Sequence, residues 1–129
     1  MKSAFSILIM GLIILVSGCV KTASNESDPI VFTTDAAASN ISVASNFPVA
    51  IKITSRISFS GLKVTITAVE EVSALTVAPQ PPTFTTNAVD NSSSVINLPQ
   101  QKWVLATVRV TDVNNANNTA SKSFRVIYK

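Results

Sequence analysis

The chain has no histidine and a single cysteine, Cys19, in 129 residues. The missing imidazole removes the commonest general base, the usual metal ligand and the centre of a serine triad. It also excludes a Cys/His metal site. One cysteine excludes an intramolecular disulfide, so the fold must rest on its core. Glycine is scarce, at three residues, and no Gly-rich phosphate loop is present. The seven carboxylates are scattered: Glu26, Asp28, Asp35, Glu70, Glu71, Asp90 and Asp112. Glu70 and Glu71 are neighbours, so on a strand they face opposite ways and make no catalytic pair. A calcium site gathers about six to eight oxygens, and no acid cluster surrounds Asp112. Its expected role is to cap an Asn-rich turn through side chain to backbone bonds. Ten basic residues against seven acidic ones give a mild, unclustered positive charge, which argues against nucleic acid. Together these absences point away from an enzyme, and no cofactor, metal or small-molecule substrate is expected.

What is present begins at the N-terminus. Lys2 supplies a short positive segment, and Ala4 to Val16 forms an apolar run of about 13 residues. That run suits the core of a signal peptide and falls short of the roughly 20 residues of a spanning helix. Small Ser17 and Gly18 then precede Cys19. Val16-Ser17-Gly18-Cys19 resembles the lipobox of bacterial lipoproteins. The resemblance implies cleavage of residues 1–18 as a signal peptide, a diacylglycerol thioether on the Cys19 thiol, and frequent acylation of the new amino group. Two or three acyl chains, at about 0.8 kcal/mol per buried CH2, hold a protein on a bilayer where one chain does not. Val20 follows the cysteine where an Asp would signal inner-membrane retention in enteric-type bacteria, so an outer-membrane location is expected. Residues 19–30 (CVKTASNESDPI) read as the lipidated Cys and a flexible tether, and 31–129 as one β domain.

From Val31 onward β-branched residues dominate. In FPVAIKITSRISF, Phe47, Val49, Ile51, Ile53, Ile57 and Phe59 share one face of period 2, with a bend expected near Ser55. LKVTITAV places Leu62, Val64, Ile66 and Ala68 together, and SALTVA reads as a weaker strand. PQPP, residues 79–82, cannot donate a ladder and reads as a loop. TFTT is a candidate edge strand, AVDNSSS a loop, and SVINL a strand. KWVLATVRVTD sets Val104, Ala106, Val108 and Val110 against Trp103 and Leu105, the pattern of a central strand. VNNANN is a turn. SKSFRVIYK aligns Phe124, Val126 and Tyr128. No helical period occurs beyond the N-terminal segment, and about seven short strands predict an all-β sandwich or barrel. FTTD at 32–35 echoes FTTN at 84–87, as Thr-rich β sequences do by chance.

The stretch LPQQKWVLATVRVTDVNNANNTASKSFRVIY resembles the closing hairpin of bacterial immunoglobulin-like domains, including the polycystic-kidney-disease-like modules. Trp103, Val108, Val110, Thr111-Asp112, the turn at Asn114 to Asn118, Thr119-Ala120 and Phe124 to Tyr128 carry the match, while the turn has Asn where the family often has Gly. The resemblance covers about 30 residues. It implies a single immunoglobulin-like Greek-key β-sandwich of about seven strands.

Trp103 is expected in the core of such a sandwich rather than on a sugar platform, since most aromatics sit at core-periodic positions. Lys52, Arg56 and Lys63 are expected on one sheet face, where charge discourages strand aggregation. The N-x-S/T triplets at Asn25, Asn40, Asn91 and Asn117 are accidental in a bacterial protein. The expected function is a non-enzymatic protein-binding or adhesion-type module of the cell envelope. Its partners would be the membrane, through Cys19, and an envelope protein, with residues 79–94 as the contact surface. The competing expectation is a structural accessory that tethers a secretion, pilus or envelope assembly to the outer membrane. In that case the tether and Val31 to Asn46 would order on the partner.

Overall fold

Alternating apolar and polar residues write four long strands, and shorter segments pair onto their edges. The computed structural model describes residues 28–129. Eight strands follow: β1 (Phe32–Thr34), β2 (Ser39–Ser42), β3 (Phe47–Ile53), β4 (Leu62–Glu70), β5 (Phe84–Thr86), β6 (Asp90–Val95), β7 (Trp103–Asp112) and β8 (Asn115–Tyr128). The described residues contain no helix. The strands form a three-stranded sheet, β1-β3-β6, and a five-stranded sheet, β2-β8-β7-β4-β5. All strand pairs are antiparallel except β2 with β8, which run parallel from Ser39↔Arg125 to Ser42↔Tyr128. The chain crosses from one sheet to the other between Thr34 and Ser39.

Both sheets feed one apolar cluster. Val49, Ile51 and Ile53 of β3 join Leu62, Val64, Ile66 and Ala68 of β4, all buried. Val104, Ala106, Val108 and Val110 of β7 and Phe124 and Val126 of β8 complete the inner face, with Phe32 and Val95. Each buried Val, Leu or Ile contributes about 1.5–3 kcal/mol, which accounts for the strict period 2 of these strands. β7 is the central strand of its sheet, as its doubly apolar start predicts.

Several expectations need correction. β3 ends at Ile53, because the next two amides, of Thr54 and Ser55, both turn to the Val31 carbonyl at 2.9 and 3.1 Å. Ile57 is therefore only half-buried, and Phe59 stands in solvent. SALTVA makes one bridge, Val69↔Thr76, flanked by the Val77 amide donating to the Ala68 carbonyl at 2.8 Å and the Glu70 amide donating to the Leu75 carbonyl at 2.9 Å, and forms no strand. The serine run expected as a loop is β6, while Ile96 to Leu98 lies outside it. Burial does not make β6 a strand; β3 recruits it through six register pairs. The Asn-rich turn is shorter than expected, since Val113 and Asn114 close the β7–β8 hairpin and Asn115–Asn118 already belong to β8. Ile30, placed in the tether by composition, is buried, and its amide donates to Asn118 Oδ1 at 3.3 Å.

The Ile53 amide donates to the Val89 carbonyl at 2.8 Å. That bond sets the phase of the β3–β6 ladder. Asn91, Ser93 and Val95 turn their backbone groups toward β3, and Asp90, Ser92 and Ser94 turn theirs to the open edge. Pro48 falls where β6 needs no donor, opposite Ser94. At Ile96 the open edge is closed by a side chain. Gln80 Oε1 accepts the Ile96 amide at 2.9 Å, and Gln80 Nε2 donates to the Ile96 carbonyl at 2.7 Å. Gln80 thus imitates one rung of a neighbouring strand.

Candidate binding surface

The strand directions divide the body into two poles. One pole holds the start of β1, the β3–β4 connection, Asn87–Val89 and the β7–β8 turn. The other holds the ends of β2, β4 and β8 and the start of β7. At this second pole the outer face of the five-stranded sheet carries Trp103. The Glu71 amide donates to the Trp103 carbonyl at 3.0 Å, which extends the β4–β7 ladder by one residue. Leu105 pairs with Arg125 in the β7–β8 register. The Arg125 guanidinium therefore lies over the Trp103 ring, 4.1 Å from its centroid. Glu71 clamps that guanidinium from beyond the strand end, with Arg125 Nε at 2.6 Å from Oε2 and Nη2 at 3.0 Å from Oε1. This bidentate hydrogen bond, aided by the attraction of opposite charges and opposed by partial burial, holds the Glu71 carboxyl below its ordinary range. The same pairing raises Arg125 above its ordinary value, hydrogen bonding first.

Beside the ring lies a groove of about 330 Å³ lined by Glu70, Val72, Ser73, Gln101, Lys102 and Trp103. Three of its polar side chains meet: Ser73 Oγ donates to Glu70 Oε1 at 2.7 Å, and Lys102 Nζ sits 3.6 Å from the same oxygen. Val72 on the rim is fully exposed, and Leu75, Leu105, Ile41 and Val43 at this pole are also solvent-facing. An aromatic wall, fixed charges and unburied aliphatic groups can hold an apolar or amphipathic segment. Among the described residues, no group of three or more His, Cys, Asp or Glu is placed to hold a metal ion.

The structure redistributes the residues singled out in the sequence. Cys19 lies outside the described residues, as do the apolar run and most of the tether. Trp103 is not a core residue; it is half-buried on the outer face, because its strand turns Val104 inward instead. Asp112 is buried and accepts the Asn114 amide at 2.9 Å, the capping bond expected of it. Glu70 and Glu71 diverge to Lys102 and Arg125. Lys52, Arg56 and Lys63 form no common patch. Lys52 stands opposite Asp90 in the three-stranded sheet, Lys63 lies on the five-stranded sheet, and Arg56 pairs with Asp28 at 3.2 Å. Residues 79–94 are less irregular than expected, since they contain β5 and all of β6 but Val95. The Glu71–Arg125–Trp103 cluster was missed, although the apolar outer positions of Trp103 and Leu105 signalled a covered face. No family model, curated protein or solved structure matches the chain.

Proposed function

We propose that the chain is a membrane-anchored bacterial lipoprotein, held at the outer membrane through acylated Cys19. Its body would be an immunoglobulin-like Greek-key β-sandwich that binds a protein partner of the cell envelope without catalysis. The lipobox-like Val16-Ser17-Gly18-Cys19 supports the anchor. The strand order supports the immunoglobulin-like reading: the first strand is divided, β1 pairing antiparallel in one sheet and β2 parallel to the last strand in the other. One observation carries the binding reading. Val72 and Leu75 stand exposed beside the Trp103-walled groove, at the pole opposite Asp28. Apolar groups left in water next to a rigid aromatic mark a contact surface better than composition does. This moves the contact from residues 79–94 to the β4 end and the start of β7.

Crosslinking in intact cells followed by mass spectrometry tests the reading. Val72→Ser with Leu75→Ser should lower partner capture about tenfold, the equivalent of about 1.4 kcal/mol. Unchanged capture would remove this surface. The accessory reading asked residues 31–46 to order on a partner, but β1 and β2 within that span are already paired in the two sheets.

A further inference from the structure

The pole from which the chain departs toward Cys19 has its own apolar surface. A tight turn joins Ser58 to Gly61: the Gly61 amide donates to the Ser58 carbonyl at 2.9 Å, and Ser58 Oγ donates to the Gly61 carbonyl at 3.2 Å. Gly61 has a φ of 90°, and a Cβ there would stand 2.8 Å from Asn87 Oδ1, so glycine is required. The turn lifts Phe59 fully into solvent. It is not a loose loop. Asn87 Nδ2 donates to the Phe59 carbonyl at 3.3 Å, and the Val113 amide donates to the Gly61 carbonyl at 3.1 Å. Three connections are thereby stitched together, and they present Phe59, Val89 and Val113, all exposed. Phe59 buries nothing within the chain, and the three apolar side chains at one held pole offer a surface to something outside it.

The exit point lies at the same pole. The Asp28 carbonyl accepts Asn118 Nδ2 at 2.9 Å, and its carboxylate meets Arg56 Nε at 3.2 Å. Nine residues, Cys19 to Ser27, separate this point from the thiol. Fully extended they span at most about 30 Å. The Trp103 groove lies a further strand away, roughly 33 Å for the ten residues of β7. Charge does not favour any particular macromolecule here, because Asp28 is paired with Arg56 and Asp90 stands opposite Lys52. What the short lead selects is the surface in which the acyl chains sit.

We infer that this pole rests on the phospholipid bilayer, with Phe59, Val89 and Val113 seated among the headgroups as a second, noncovalent membrane contact. The inference rests on the proposed acylation of Cys19. It gives the body an orientation: lipid side at Phe59, open side at Trp103. Because the contact is apolar, it persists in high salt, unlike one made by basic residues.

The chain's one tryptophan, Trp103, makes the test internal. Full-length protein purified from cells is placed in phosphatidylethanolamine and phosphatidylglycerol vesicles, with and without brominated acyl chains. Native Trp103 should keep its emission. The full-length Phe59→Trp, Trp103→Phe variant should be quenched about twofold by the brominated lipid, with a blue-shifted maximum. Equal quenching at both positions would overturn the orientation. A blue shift at position 59 without bromine quenching would mean a protein partner or second copy covers the pole, and would overturn it too. The intact mass separates the two levels. Acylated Cys19 with no quenching at position 59 sinks this inference alone, whereas an unmodified thiol sinks it together with the anchor.

Discussion

β6 and β7 are both well-paired strands, yet they are held for different reasons. In β7 every second residue, from Val104 to Asp112, is buried, and the strand has a neighbour on each side. In β6 only Val95 is buried, and one edge has no strand beside it. β7 is fixed by area removed from water. β6 is fixed by backbone bonds to β3, by Thr86 Oγ1 donating to Asn91 Oδ1 at 2.7 Å, and by the Gln80 rung at Ile96. A strand fixed by burial is written in its own residues, whereas a strand fixed by pairing is written in its partner's.

Three measurements sharpen that contrast, the largest effect first. Proline at Ser93 removes an amide that faces β3 and leaves the Val49 carbonyl unpaired. Ser93→Pro should cost about 2–3 kcal/mol in urea unfolding. Proline at Ser92, whose amide faces the open edge, should cost about 1 kcal/mol or less. Equal losses would mean that the assigned phase of the ladder is wrong. Next, Gln80→Ala strips Ile96 of both partners at a half-buried site. A loss of about 1–2 kcal/mol is expected, with faster amide exchange at Ile96 and little change at Val108. Exchange that leaves Ile96 unaltered would show that water replaces the glutamine fully. The smallest effect concerns the β7 side. Glu71 is depressed below its ordinary range by Arg125, so its contribution is present above the unfolded carboxylate range and fades as pH falls through the folded value. Both partners are partly exposed, so the slope should be shallow and weaken with salt. Glu71→Gln should flatten the stability profile below about pH 5; a profile identical to that of the unaltered chain would remove the clamp from the account.

The same contrast explains what could be read from the residues. The inner faces of β3, β4, β7 and β8 were legible because Val, Ile, Leu and Phe repeat every second position. The run Asp90 to Ser94 was not, because serine marks loops in isolation and only the register with Ile51, Ala50 and Val49 makes it a strand. Phe59 continued an alternation that the backbone had already left, since Thr54 and Ser55 bond to Val31 rather than onward. Trp103 was misplaced because both faces of its strand begin apolar. The cover over its ring comes from Arg125, held by Glu71, and these two are 54 residues apart and meet only through two ladders. The parallel pairing of β2 was also hidden, because SNIS has too few residues to show a period.

That parallel pair has a mechanical consequence. Asp28 is at one pole and Tyr128 at the other, so tension drawn between them runs along β2 and β8 rather than across them. The four rungs from Ser39↔Arg125 to Ser42↔Tyr128 then share the load and must slide together instead of opening one by one like a zip. A body tugged from its two poles would resist in shear, the stiffest direction a ladder of hydrogen bonds has.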